Sequence, residues 1–352
     1  MPDRSFPPLP GIKVIDTFYD VARVTDEGSW VMRMTSGFEM VAGDDSALGR
    51  ARLALEGLSI GDAFGQRFFV APSVVESFVE SRALPAEPWY WTDDTAMALS
   101  VFETLRDHAR IDPDVLATRF AARYRHDPAR GYGGTAHSIL MAISLGEPWQ
   151  DAAREAFDGQ GSMGNGAAMR VAPVGGYFAD DLEAVVHHAR ASAEPTHAHP
   201  DGQAGAIAVA VAAALASQMG RGRRAPSGEG LLAEVVARTP RGATRDGLEK
   251  AASLPLSYDP RTAVAALGNG SLVISSDTVP FSLWCAARHL GDFEQALWTT
   301  VSGLGDRDTT CAIASGIVAL AVGGANIPRS FADAREPLES PLTGFDRNAE
   351  LR

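Results

Sequence analysis

Two segments of this chain, Ala206 to Ala216 and Ala312 to Val322, are apolar on nearly every side when wound as helices. A helix with no polar face belongs at the centre of a globule, sheathed by other helices. The longest apolar stretch, Ala204 to Ala216, falls short of the roughly 20 residues that span a bilayer. It reads as a core helix, and no membrane partner is expected. From Ser46 onward the pattern supports this picture, because A-L-G-R-A-R-L-A-L-E-G-L-S-I-G-D-A-F-G and a series of later segments place apolar residues at three-to-four spacing. Amphipathic segments such as Val101 to Arg110 are expected to form the shell. The fold class predicted is all-α, a compact multi-helix domain over 44–328. Residues 1–43 read as a separate extension with a hairpin-like alternation. Residues 329–352, rich in Pro, Asp, Glu and Arg, are expected to run over the surface.

With 352 residues, 45% of them hydrophobic, the chain can bury a large core. Its formal net charge of −13 argues against a surface that neutralises nucleic-acid phosphates, and Arg221-Gly222-Arg223-Arg224 reads as a solvated loop between helices. Only Cys285 and Cys311 are present, so no disulfide framework or cysteine metal site is expected. The N-terminus lacks the apolar core of a signal peptide. The expectation is a cytoplasmic monomer.

The chemistry concentrates in two acidic clusters, W-T-D-D-T at Trp91 to Thr95 and G-D-R-D-T-T at Gly305 to Thr310. Each stands just before a helical pattern. Thr and Asp there can cap the free N–H groups of a helix start and offset its dipole. The same hard oxygen donors suit a cation such as Mg²⁺. Both readings can hold together, since two helix starts brought face to face would present four carboxylates that repel unless cations sit among them.

Between the clusters lies G-Q-G-S-M-G-N-G-A-A-M-R, Gly159 to Arg170. It contains G-x-G-x-x-G, but the preceding W-Q-D-A-A-R-E-A-F reads as helix where a dinucleotide fold requires a strand. A Rossmann domain is therefore rejected. Either the glycines let backbone N–H groups converge on an anion, helped by a helix beginning near Ala167, or they supply positive φ to a turn. In T-H-A-H-P, His197 and His199 have no nearby cysteine or third histidine to complete a metal site. His197 is the one expected to contact a ligand. Trp91 reads equally as core or as the floor of a sugar or base pocket.

Taken in order, G-L-S-I-G-D-A-F-G, W-T-D-D-T, G-Y-G-G-T, S-M-G-N-G-A-A-M-R, T-H-A-H-P and G-D-R-D-T-T-C-A-I-A-S-G resemble the ADP-ribosylglycohydrolase family, the relatives of dinitrogenase reductase-activating glycohydrolase. The resemblance spans about Ser46 to Gly324. It implies an all-α fold with a central cleft holding two Mg²⁺ ions, or Mn²⁺ in some relatives. Thr92, Asp93 and Asp94 match one metal motif, and Asp306, Asp308 and Thr309 match the other. Gly161, Ser162, Met163, Gly164, Asn165 and Gly166 fall in the loop that holds the diphosphate and distal ribose. Asp94 or Asp308 would be the general base. Substrates implied are ADP-ribosylated proteins, nucleobases or small molecules.

One departure stands out. Many family members carry a glutamate a few residues after G-D-A-x-G, where this chain has Phe68 and Phe69. A substitute such as Glu76, a different leaving group or lost catalysis would each account for it. Two further readings follow: an immunity protein whose 1–43 arm engages an ADP-ribosylating toxin, and a catalytically silent scaffold.

Overall fold

The helical periodicity is realised, among the described residues, in seventeen α-helices. The computed structural model describes residues 44–338 together with 23–24 and 30–31. The helices begin with α1 (Ala47–Gln66), α2 (Pro72–Ser81), α3 (Asp93–His108), α4 (Pro113–His126), α5 (Gly134–Ser144) and α6 (Trp149–Gly159). They continue through α7 (Gly166–Met169), α8 (Ala172–Tyr177), α9 (Leu182–Ala193), α10 (Pro200–Gly220), α11 (Gly228–Arg238) and α12 (Ala243–Ser253). The last five are α13 (Pro260–Leu267), α14 (Ser275–Arg288), α15 (Phe293–Val301), α16 (Arg307–Val322) and α17 (Arg329–Ala334). Many begin where the sequence supplies a cap. Ser46 accepts from Gly49 N ahead of α1, Asp112 and Pro113 open α4, and His199 and Pro200 open α10.

The chain divides into two units, Met1–Glu39 and Met40–Arg352. In the first, β1 (Arg23–Val24) and β2 (Trp30–Val31) pair antiparallel, Arg23 opposite Val31 and Val24 opposite Trp30. The rest of the expected N-terminal hairpin lies outside the described residues.

In the second unit α10 and α16 occupy the core, as their apolar faces require. Helix α10 is long and apolar enough to cross a membrane by length and composition, but 89% of its most apolar window is buried inside the protein. Helix α1 runs antiparallel to α16 at unusually close range. A methyl placed on Gly57 would lie 2.4 Å from Ala319 Cβ, on Gly61 2.3 Å from Cys311 O, and on Gly65 2.2 Å from Arg307 O. Three glycines spaced four apart thus bring the end of α1 against the start of α16. That contact sets Asp62 beside Asp308.

Two sequence expectations are corrected. Helix α3 is not a shell helix: every residue from Asp93 to Leu105 is buried. Glu103, on its buried face, is paired inside the fold, where Arg123 Nη2 reaches it at 2.7 Å. The stretch expected as a surface tail from 329 packs instead. Phe331 and Ala334 are buried, Trp89 N donates to Ala334 O, and Arg335 pairs with buried Glu56 at 2.9 Å. Its charges belong to partners inside the fold, which composition could not reveal. Residues beyond 338 lie outside the description. The arginine loop is a surface element, with Arg221 and Arg223 both paired to Asp180.

Candidate active site

The acids of the two clusters meet at the α1/α16 contact. Carboxylate oxygens of Asp62, Asp94 and Asp308 lie within 4.8 Å of one another. Asp62 is wholly buried. It accepts from Thr92 N at 2.9 Å, Thr92 Oγ1 at 2.8 Å, Thr95 N at 3.1 Å and Thr95 Oγ1 at 2.5 Å. These bonds fasten the first turn of α3 to α1. Asp94 Oδ1 is buried with no hydrogen-bond partner among the described residues, an expensive condition for a carboxylate oxygen. An unpartnered oxygen aimed into a nest of acids is what a hard cation would satisfy. This donor set, all oxygen and mostly anionic, can hold a metal ion.

The electrostatics agree. Burial, opposed by the threonine bonds, raises the Asp62 carboxyl to about 6. Burial and then the Asp62 charge raise Asp93 to about 7. Asp94 is pushed well above the carboxylate range by burial, then by Asp62 and Asp308, and Asp308 by burial, then by Asp306 and Asp62. Without a cation the cluster resists carrying its full charge.

Above the acids opens a cavity of about 390 Å³. Asp93, Asp94, Asp306, Asp308 and Thr309 line one side, and Ser162 to Gly166 with His197 line another. Thr92 stands behind, its hydroxyl turned to Asp62 while it caps Asp94 N. Gly161, at φ +77°, packs against the backbone of His199 and lies just outside the lining. The glycine loop is clipped in place: Asn165 N donates to Val273 O, Ser275 N to Met163 O, and Ser275 Oγ to Gly164 O at 2.9 Å. Asn165 Nδ2 reaches Asp306 Oδ2 at 2.6 Å and so ties the loop to the second acidic cluster. The anion reading is narrowed, because the N–H groups of Gly161, Gly164 and Asn165 are already occupied by Ala156 O, Ser162 Oγ and Val273 O. Ser162 and Met163 N–H have no acceptor among the described residues. The helix expected near Ala167 is the four-residue α7, too short to carry much dipole.

Of the two histidines, His199 caps α10, its Nδ1 accepting from Asp201 N at 3.1 Å. His197 is buried and faces the cavity. Burial, and then the Arg170 charge, lowers its pKa to about 3.

Trp91 proves to be core, 3% exposed and capped by the Arg130 guanidinium 3.5 Å from its ring centroid. Glu76 does not replace the family glutamate. It sits on α2, paired with Arg261 at 2.8 Å, and is not part of the cavity. Phe68 is fully buried against Phe64, Phe78 and Trp298, while Phe69 is half exposed beside Arg307. Arg307 donates to Phe68 O and Val70 O, anchoring this segment to the start of α16.

Three lining or liganding residues escape sequence reasoning. Asp62 stands in the G-L-S-I-G-D-A-F-G motif of the resemblance, with no role assigned to it from sequence. Arg170 closes the glycine-rich segment, and nothing in the sequence gives it a part in the site. Phe157, 54% exposed on the cavity rim, is held at φ +55° in a break within α6. Nothing in its helical context foretells that.

Comparison with known proteins places these features together. The ADP-ribosylglycohydrolase family model matches residues 44–348. Human ADP-ribosylhydrolase ARH3 is 29% identical over 338 residues, covering 83% of this chain and 91% of the relative. The Bos taurus ADP-ribosylhydrolase ARH3 is 30% identical over 339 residues, covering 85% and 92%. A solved structure described as an ADP-ribosylglycohydrolase-related protein complex superimposes with a TM-score of 0.60 at 27% identity, covering 82% of this chain and 92% of that one. Fold, ordered motifs and relatives agree, and the chain belongs to the ADP-ribosylglycohydrolase family, the hydrolases of glycosidic bonds to ADP-ribose.

Proposed function

We propose that this protein reverses ADP-ribosylation by Mg²⁺-dependent hydrolysis of the N- or O-glycosidic bond between ADP-ribose and a modified target. The observation that carries the reading is the convergence of Asp62, Asp94 and Asp308, the last two lining a cavity that the glycine loop and His197 also border. Asp62, Asp93, Asp94, Asp306, Asp308 and Thr309 would hold two Mg²⁺ ions, with Mn²⁺ as a substitute. Bound there, such cations supply charge neutralisation, orientation of the distal ribose diol and polarisation of a water.

The chain's own residues account for the rest. Ser162 and Met163 N–H face the diphosphate, and His197 binds a ligand oxygen. Phe157 offers an exposed ring on which adenine can stack. Asp308, less buried than Asp94, is the first choice to receive the proton of the attacking water. The water oxygen bonds to the anomeric carbon, the bond to the leaving nitrogen or oxygen breaks, and the departing group takes up a proton. No acid stands where relatives carry their glutamate. The expected leaving group is therefore one that departs with little help from that position.

The test is ADP-ribose release from substrates linked through arginine, serine, a nucleobase and an O-acetyl group, each with Mg²⁺ and with EDTA. Release from at least one, abolished by EDTA, supports the reading. Release that persists unchanged in EDTA, or silence from every linkage, contradicts it.

A further inference from the structure

The ring of His197 is held in one orientation by its neighbours. Glycines surround it: a methyl on Gly166 would lie 3.2 Å from its Cε1, one on Gly202 3.0 Å from its Cδ2, and one on Gly164 3.4 Å from its Nε2. On its other edge Thr196 Oγ1 lies 2.7 Å from Nδ1. Behind Thr196 stands Arg170, 1% exposed, whose Nη2 donates to Ser192 O at 2.8 Å and to Thr196 Oγ1 at 2.9 Å. Its Nη1 approaches Met97 Sδ at 3.5 Å, and its ring neighbour is Phe120, 4.3 Å from the guanidinium carbon.

The donor inventory of this chain of contacts leaves one arrangement. A guanidinium has five N–H donors and no acceptor, so the bond between Arg170 and Thr196 must run from nitrogen to oxygen. The Thr196 oxygen has a lone pair left to accept from an Nδ1–H, but its own buried proton would then have no acceptor among the described residues; the arrangement that satisfies every group directs that proton to His197. Nδ1 must accept it, and a neutral imidazole that accepts at one nitrogen carries its proton on the other. No protein group bonds Nε2 among the described residues, and that nitrogen lies over Gly164 and Gly166 at the cavity.

We infer that Arg170 and Thr196 are positioning residues that fix His197 as the Nε2–H tautomer, so that the ring meets the ligand as a hydrogen-bond donor and never as an acceptor. Arg170 thus acts on His197 through Thr196: both Nη2 donors are spent on Ser192 O and Thr196 Oγ1, Nη1 approaches Met97 Sδ, and Nε has no partner among the described residues. The ligand group facing Nε2 must be an acceptor, such as a phosphate oxygen or the oxygen of a ribose hydroxyl. That last step rests on the ADP-ribose reading. The tautomer does not.

The test is a long-range ¹H–¹⁵N spectrum of the full chain labelled at histidine, near pH 7, with the His197 signals assigned from a His197→Gln variant. The expected result is a protonated Nε2 and a bare, hydrogen-bonded Nδ1. A proton on Nδ1, or on both nitrogens, overturns the inference. Thr196→Val should free the ring to populate both tautomers, and Thr196→Ser should restore the single form. A Thr196→Val ring unchanged from wild type also overturns it. Should Thr196→Val fail to fold, the wild-type spectrum still decides. ADP-ribose should bind about twofold more weakly to Thr196→Val, the cost of selecting one of two similarly populated tautomers, and equally well to Thr196→Ser. A wild-type protein with the Nε2 proton that fails to bind ADP-ribose upholds the relay and rejects the ligand assignment.

Discussion

The starts of α3 and α16 carry nearly the same residues and are built differently. At α3 the protein makes the bonds itself: Thr92 caps Asp94 N, and Thr92 and Thr95 together give Asp62 four hydrogen bonds. At α16 Asp306 holds the cap position with no side-chain cap bond, and its carboxylate turns outward to Asn165 on the glycine loop. Between its acids Arg307 reaches back to Phe68 O and Val70 O. One helix start is a closed structural joint that happens to present acids. The other is open toward the cavity and leans on the loop that would hold the ligand. The capping reading of an Asp-Asp-Thr cluster is therefore realised at α3, while at α16 the acids are left open toward the cavity, where a cation could be held.

The contrast should appear most strongly when each joint is cut. Asp306→Ala is expected to reduce metal-dependent turnover to background while changing urea stability in EDTA by less than about 1 kcal/mol, since it leaves no buried donor stranded except that of Asn165. Asp62→Ala should also abolish turnover, and in addition cost about 3 kcal/mol by stranding two backbone N–H groups and two hydroxyls. Equal stability losses in the two variants would break the comparison.

Next in size is the approach that brings the joints together. Gly61→Ala would place a methyl 2.3 Å from Cys311 O and is expected to cost about 2 kcal/mol in urea denaturation. Metal affinity should fall with it, because Asp62 and Asp308 are set by the same contact. Retained affinity would show that the acids are positioned independently of α1.

A pH series sharpens the same point. In EDTA, Asp62 and Asp93 have folded values raised to about 6 and about 7, so the native state binds more protons than the unfolded chain above about pH 4. Their contribution to stability is present at low pH and is lost as pH rises through about 6 to 7. Mg²⁺ should remove that loss, and the gain in Tm on adding Mg²⁺ should grow from pH 5 to pH 8. His197 and His289, both lowered by burial, act with opposite sign, but they act with and without metal and cancel in the difference. A metal increment that is flat with pH would contradict the shared-charge account.

The smallest effect belongs to the rim. Phe157→Ala should weaken ADP-ribose binding by about 1 kcal/mol in calorimetry, the worth of a base stacked on one exposed ring, while leaving metal affinity unchanged.

Much of this was legible in the chain itself. The apolar faces of α10 and α16 dictated a helical globule, and the ordered motifs identified the acids, the loop and His197. What stayed hidden depended on packing. Asp62 comes within reach of Asp94 and Asp308 only because Gly57, Gly61 and Gly65 let α1 touch α16. Residues 329–338 look like a solvated tail until Arg335 finds Glu56 and Trp89 pairs with their backbone. Phe157 owes its place on the rim to a backbone break inside a segment of helical composition.

The central claim is that Asp62, Asp94 and Asp308 form the cation seat beneath the ADP-ribose cavity. Anomalous diffraction from crystals grown with Mn²⁺ and ADP-ribose tests it directly. The account predicts a metal peak within bonding distance of all three carboxylates. Mn²⁺ bound elsewhere, with those carboxylates unliganded and ADP-ribose in the cavity, would contradict it.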